Sequence, residues 1–441
     1  MTTSPPANRY YLGLVVLMVG VAVFLIFTFI PSRFFSGSEK EITKLYFADN
    51  ISPAHQEIIS RFNQKYAGEI EVVPIHLPFD RFTTNERKEL LARSLRSQNS
   101  RIDVFSVDII WVPRFTRWAL PLNEFMGNGQ LSDILLEEAM FTAYYDSVLV
   151  SIPFYIDVGL MYYRRDIVRS WPNGDAIEQR IRKSITWDEL KAYRDRFAPG
   201  KPFYVFQGDQ YEGVVCQFVE LVGNYGERIY ERNQLELNTP VSVQSLDMLV
   251  DMIYKDNLIP PDVTAFRERG SYEYALKHDI PFFRGWPGLD QQIEGYGPDS
   301  VKVRHLRVAP LPHIQGQQSV GTFGGWNLMV SRHTTKQDAA LKFVKFAISR
   351  ESQELLINRG HYYPVNREFY IRDKFKEQYP NLEYFRYLLS IGVHRPWLKN
   401  YTEISEVLSY YLNQALRRQL TPAEALKKAE QTIDSKRVFI R

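Results

Sequence analysis

The sequence predicts an α/β protein of two units, with a mostly parallel sheet covered by helices. Three observations carry that expectation. Just after the N-terminal tail the chain alternates strand, helix, strand, helix and strand, the pattern of a parallel sheet. At 441 residues it is long enough for two domains, each with its own core. The apolar runs Leu149–Phe154 and Leu160–Tyr163 then follow one another without a long polar linker. A passage between units there is a pair of adjacent extended strands, a hinge and not a tether.

Lys44–Ala48 reads as the first strand. Ser52-Pro53 caps a helix with proline at its first position, and Ile58, Ile59, Phe62 and Tyr66 mark its buried face. Glu69–Ile75 is a strand, Asn85–Gln98 a helix, and Ile102–Val107 a buried strand ending at Asp108. Ligands of such sheets bind outside the carboxyl ends of strands, which gives Asp108 and Trp111 a functional reading. The alternative is that Asp108 caps the next helix, near Pro113. Further on, Thr186-Trp187-Asp188-Glu189 is a capping box. Phe203–Phe206 is a strand that ends in Gln207-Gly208-Asp209-Gln210-Tyr211-Glu212-Gly213, before a helix around Val214–Val222. Two amides, two acids and a tyrosine in seven residues donate and accept hydrogen bonds in several directions.

Val241–Tyr254 is a long helix. Ile280–Phe283 leads into Arg284-Gly285-Trp286-Pro287-Gly288, and Val303–Ala309 is a strand. In Gly321–Ser349 the pair Gly324-Gly325 lets the backbone turn and approach a neighbour closely; Trp326 follows, then a strand at Asn327–Val330. Ala340, Leu341, Phe343, Val344, Ala347 and Ile348 fall at helical spacing beyond it. The tail is helical, with Thr402–Leu416 and a last helix opened by the capping box Thr421-Pro422-Ala423-Glu424.

The formal charge of +3 gives no electrostatic case for nucleic acid. The single cysteine, Cys216, sits in an apolar helical run and reads as core. Tyr10–Ile30 is uncharged and long enough to cross a bilayer as a helix, and no acid precedes it. It is expected to be an uncleaved signal-anchor, with a cleaved signal peptide as the alternative; either way the body works outside the cytoplasm. Aromatics are 14% of the chain, with 27 Tyr, 28 Phe and 7 Trp. Trp111, Trp286 and Trp326 follow strand ends, and Tyr211 a fourth, which points to a shared crevice. A pyranose offers an apolar C–H face for such rings and a rim of hydroxyls for Asp, Gln and Arg. Each unmatched buried polar group would cost roughly 1–3 kcal/mol.

The segments IDVFSVDIIWVPRF (Ile102–Phe115), LVSIPFYIDVGLMYYRRDIV (Leu149–Val168), FQGDQYEG (Phe206–Gly213), FFRGWPG (Phe282–Gly288), GTFGGWNLMVSRHTTKQDAALKFVKF (Gly321–Phe346) and RQLTPAEALKKAEQTID (Arg418–Asp434) carry a resemblance. Together the chain resembles the extracellular solute-binding proteins of ABC importers, in particular the maltose- and trehalose-binding group. The resemblance implies the two-lobed periplasmic-binding-protein fold, a hinged trap. Its first lobe would be 41–153 and 327–370 and its second 154–326 and 371–441, behind the N-terminal segment and linker 1–40. It implies that Trp111, Tyr211, Trp286 and Trp326 stack on sugar. Asp108, Tyr155, Asp157, Gln207, Gln210, the Gly324-Gly325 backbone and Arg395 would complete the site, though Arg395 equally suits a pair across the hinge. The implied partners are a carbohydrate and ABC permease subunits, with the protein a monomer tethered by its N-terminal helix. No cofactor is implied.

A glycoside hydrolase would need two carboxyls at a set separation, one with a raised pKa. Asp108, Asp157 and Glu212 are the acids available, but hydrogen-bonding roles suffice for all three. There is no GxSxG, HExxH or Walker loop, and GYGPDS lacks the last glycine of a dinucleotide loop. The eight histidines have no ligand-like spacing, so no metal site is expected. A sensor that presents bound sugar to a receptor is the remaining alternative.

Overall fold

The computed structural model describes residues 14–21, 41–78, 84–97, 101–126, 130–231, 234–289 and 296–435. The membrane helix expected over Tyr10–Ile30 lies mostly outside them. Among the described residues no helix is long and apolar enough to cross a membrane.

The chain opens as β1 (Thr43–Asp49), α1 (Pro53–Lys65), β2 (Ile70–His76), α2 (Thr84–Arg96) and β3 (Val104–Asp108), with β1 parallel to both β2 and β3. The Ser52 hydroxyl accepts from the His55 amide and the His55 side chain returns the bond, so α1 starts where Ser52-Pro53 places it. Its buried face holds Ile58, Ile59 and Phe62, three of the four residues that the spacing marked. Next come β4 (Ile152–Val158) and β5 (Leu160–Arg164), joined by Gly159 alone. They are followed by α3 (Trp187–Phe197), β6 (Tyr204–Val205), α4 (Glu212–Asn224), α5 (Pro240–Tyr254), β7 (Phe282–Gly285) and β8 (Leu306–Ala309). Thr186 and Glu189 form the capping box of α3.

Then β9 (Gly321–Val330), α6 (Gln337–Ala347) and α7 (Arg350–Gly360) follow, with the short strands β10 (Tyr363–Pro364) and β11 (Gly392–Val393). The chain closes with α8 (Tyr401–Leu416) and α9 (Pro422–Asp434), the latter capped by Thr421 and Glu424 as expected. The run Val303–Ala309 differs from expectation: a short helix takes Ser300–Val303, and the strand starts only at Leu306.

Two main sheets result. The first has the order β10-β4-β9-β3-β1-β2, with β11 also paired to β9; the second has the order β8-β5-β7-β6. The β2-β1-β3 side of the first sheet is parallel, as is the short β9–β11 pair, but β4 and β9 run antiparallel to their other neighbours. In the second sheet β5 is antiparallel to both neighbours and only β7 and β6 are parallel. Both strands that cross between the sheets therefore break the all-parallel pattern. They pair with each other from Phe323 opposite Val158 to Leu328 opposite Ile152. The expected boundaries after residues 153 and 326 cut through strands that the first sheet keeps whole. The C-terminal segment also divides: α8 and α9 pack on α4 and α5. Before them, Arg386 pairs with Glu138, while the hydroxyls of Tyr384 and Tyr387 donate to the Arg182 and Lys183 carbonyls.

Candidate functional site

The site grows from β9. On this strand Trp326 stands opposite Asp108 of β3 on one side and Tyr155 of β4 on the other; Gly324 stands opposite Asp157 of β4. Directly paired residues share a face, and so do residues two apart. Asp108, Trp326, Tyr155, Gly324 and Asp157 thus project from one face of the first sheet, although 49 residues separate Asp108 from Asp157.

The glycine pair corrects the sequence reading. It is no turn at the mouth of a strand but lies inside a ten-residue strand. Gly325 has φ of +127°, and a β-bulge follows between Trp326 and Asn327. A side chain at Gly325 would also meet the Tyr155 carbonyl at 2.5 Å. Gly324 is needed for another reason. The indole of Trp286, delivered by the end of β7 in the second sheet, lies against it. A Cβ at Gly324 would sit 2.9 Å from Trp286 Cζ3 and overlap Asp157 Oδ1. The two sheets meet on this glycine.

Past β3 the chain makes a tight turn in which the Asp108 carboxylate accepts from the Ile110 amide at 3.1 Å. Asp108 therefore caps the turn and also faces the site. The turn sends Trp111 inward, 2% exposed, with its ring along Phe115 and edge-on to Trp326 at 5.5 Å. Tyr155 packs against Tyr362 with ring centroids 4.4 Å apart, tilted by 31°. Arg395 enters between the sheets: Nη1 donates to Glu212 Oε1 at 2.7 Å and Nη2 to the Phe323 carbonyl at 3.0 Å. Its Nη2 lies 3.8 Å from Asp108 Oδ1. Glu212, at the start of α4, also accepts from the hydroxyls of Tyr401 and Ser405. Arg395 thus bridges a carboxylate of the second unit and a strand of the first.

Burial, and then the neighbouring Asp108, push the Asp157 carboxyl up to about 7, against the pull of Arg395 and Arg284. Asp108 is pushed up to about 6, chiefly by burial, with Arg395 opposing. His394 falls to about 4 through burial and the adjacent Arg395 charge. Asp157 Oδ1 and Arg395 Nε are buried polar atoms without a hydrogen-bond partner among the described residues. Such atoms are costly unless something else satisfies them.

One expected ligand residue falls elsewhere. Gln207 is fully buried inside the second unit: its amide nitrogen donates to Ser271 and the Arg284 carbonyl, and its oxygen accepts from Arg284 Nη1. Fully buried with both ends of the amide engaged, it is not placed to meet a ligand in the cleft. Gln210 is exposed on the loop before α4. Tyr211 is half-buried, folded over Gly213 with the Arg267 guanidinium 5.3 Å from its ring centroid. Cys216 is core, as its apolar context predicts.

Sequence reasoning missed two groups. Arg87 of α2 holds its guanidinium 4.6 Å over the Trp326 ring. Nothing along the sequence marks it, because an arginine in a helix's first turn reads as a solvated side chain. Asp49 ends β1, is 2% exposed and lies 3.7 Å from Arg87 Nη2. The strand-end rule that picked out Asp108 applies to it equally and would have found it.

Two α/β units joined by crossing strands, with charged and aromatic groups from both gathered between them, define a two-lobed binding protein. Residues 48–354 match the model of the bacterial extracellular solute-binding protein family, and the chain belongs to that family. It is 23% identical over 367 residues to a probable ABC transporter-binding protein of Deinococcus radiodurans, covering 79% of this chain and 83% of the relative. An arabinooligosaccharide-binding protein of Halalkalibacterium halodurans is 24% identical over 408 residues, 86% of each chain. Maltose-bound MalE3 of T. maritima superposes with a TM-score of 0.76 at 26% identity, covering 89% of this chain and 99% of that one. The GacH receptor of Streptomyces glaucescens, solved unliganded and with acarbose, shares the fold with a TM-score of 0.74 at 17% identity, over 90% and 98%.

Proposed function

We propose that the protein captures a sugar or related polyol glycoside outside the cytoplasm, between its two lobes, and delivers it to an ABC permease. The observation that carries this is the Trp286–Gly324–Asp157 junction. An aromatic face from one lobe lies beside an unpartnered carboxylate oxygen from the other. A sugar ring presents the matching pair, an apolar face and a hydroxyl rim. Trp286 and Trp326 supply ring faces, with Trp111 holding Trp326 from its edge. Asp108, Asp157, Arg395 and the missed Arg87 supply charge-assisted hydrogen bonds, and Tyr155 lines the same face. Ligand contacts made with both lobes would favour the closed form, the state suited to docking on a permease. The stretch Tyr10–Ile30 serves as a membrane anchor, raising the local concentration of a monomeric trap at its permease.

The raised carboxyls Asp108 and Asp157 favour a second reading, a glycoside hydrolase, since that chemistry needs a protonated acid beside another carboxyl. The two readings part on products: a binding protein returns its sugar unaltered. A thermal-shift panel of maltose, arabino-oligosaccharides, other di- and monosaccharides and polyols tests the proposal. A ligand at 1,000 times Kd adds about 4 kcal/mol of stability. No shift with any member overturns it, and free reducing ends released from an oligosaccharide would favour the hydrolase.

A further inference from the structure

Behind the junction lies a buried ion pair. Arg284, on β7, is 0% exposed, and its partner Glu220, on α4, is 2% exposed. Arg284 Nε and Nη2 donate to the two carboxylate oxygens at 2.8 and 2.7 Å, and Nη1 donates to Gln207 at 3.0 Å. Glu220 Oε1 in turn accepts from the Thr322 hydroxyl at 2.7 Å and the Thr322 amide at 3.1 Å. Thr322 is the second residue of β9, one crossing strand. Its carbonyl accepts at 2.9 Å from the amide of Gly159, the lone residue joining β4 to β5 at the other crossing. A Cβ at Gly159 would overlap Glu220 Oε1. Both crossings therefore rest on one carboxylate.

The same guanidinium lies 4.5 Å from the centroid of the Trp286 ring, which itself lies on Gly324, two residues along β9 from Thr322. Arg284 touches the indole, the carboxylate and the Thr322 hydroxyl (3.4 Å) at once. Stability alone is a poor account of this pair, because apolar replacements of buried ion pairs are often neutral or stabilising. Geometry is a better one. A planar guanidinium offers a flat face to a ring and a two-pronged edge to a carboxylate, which no other side chain combines.

We propose that Arg284 is a positioning residue that couples the Trp286 indole to the two interlobe crossings through Glu220 and Thr322. Motion at the hinge then moves the ring, and displacement of the ring loosens the hinge. The coupling is a property of the protein itself; only its use in sugar capture rests on the reading above.

The test needs no ligand. Acrylamide quenching of Trp286 is taken as the difference between each protein and its Trp286→Phe counterpart. Hydrogen exchange reports the Gly159 and Thr322 amides. Thr322→Val keeps shape and strand propensity but removes the hydroxyl, and should raise Trp286 quenching at least twofold. Trp286→Ala should speed exchange of both amides at least tenfold. Coupling between two sites is reciprocal, so both effects are required. If either variant, folded by circular dichroism, leaves the other site unchanged, the proposal is overturned. Arg284→Lys should produce both effects; should it not fold, the first two variants still decide. A sugar panel without hits would leave this result standing.

Discussion

The ring of Trp286 and the backbone of Gly324 lie in contact across the two lobes, so close that a single added methyl group would come within 2.9 Å of Cζ3. Gly324→Ala keeps an ordinary backbone but inserts that methyl between Trp286 and Asp157. It should hold the lobes apart and weaken binding of the best sugar at least tenfold. Asp157 must turn away from the methyl, so the melting temperature without sugar should fall as well. Calorimetric titration of parent and variant checks it, and equal affinities would remove the junction from the site.

Trp286 itself is half-buried, at a strand end, and is not part of a lobe core. Trp286→Ala should cost at least tenfold in affinity with the circular dichroism spectrum unchanged. The contrast is Trp111, 2% exposed and packed on Phe115 and Trp326. Trp111→Ala should lower stability by about 3–5 kcal/mol, the usual cost of emptying a large aromatic site. Denaturant unfolding separates the two outcomes.

The pH dependence follows from Asp157, whose carboxyl is pushed up to about 7 by burial and then by Asp108. An unfolded aspartate titrates near 3.9. Between those values the folded protein holds a proton that the unfolded chain has lost, so stability falls as pH rises from about 4 to about 7. The loss is at most about 1.4 kcal/mol per pH unit for one carboxyl. Asp157→Asn removes that contribution. Melting curves of the free protein should therefore decline more steeply from pH 5 to 7 in the parent than in the variant; parallel curves would show that the carboxyl is ionised throughout.

Gln207 and Gln210 lie three residues apart and should behave oppositely. Gln207→Ala leaves Arg284 Nη1 without its acceptor in a dry interior, at a cost of about 1–3 kcal/mol. Gln210→Ala, on an exposed loop, should change neither stability nor sugar affinity. Urea unfolding and titration of both variants check the pair. A loss of affinity in Gln210→Ala at full stability would restore that residue to the site.

Much of the architecture was legible in the chain alone, because the signals involved are local. Ser52-Pro53, Thr186 with Glu189 and Thr421 with Glu424 start their helices where hydrogen bonds three residues long can form. Apolar runs located β1, β2, β3, β4 and β5 to within a few residues. The rule that ligand groups gather at strand ends singled out Asp108, Trp111 and Trp286 as candidates from position alone.

What the sequence determined by itself is the alternating α/β units, the crossing made of two extended segments and the aromatic character of the residues at strand ends. The tertiary structure decided which of those residues face one another. Strand register put Trp326 between Asp108 and Tyr155, and Asp157 opposite Gly324. Partners 77 residues away took Gln207 out of the site, and a helix face brought Arg87 into it. The physical reason is range. Caps and periodicity act over a few bonds along the chain. A side chain's hydrogen-bond partner, its burial and the pKa that follows depend on neighbours that only folding brings near.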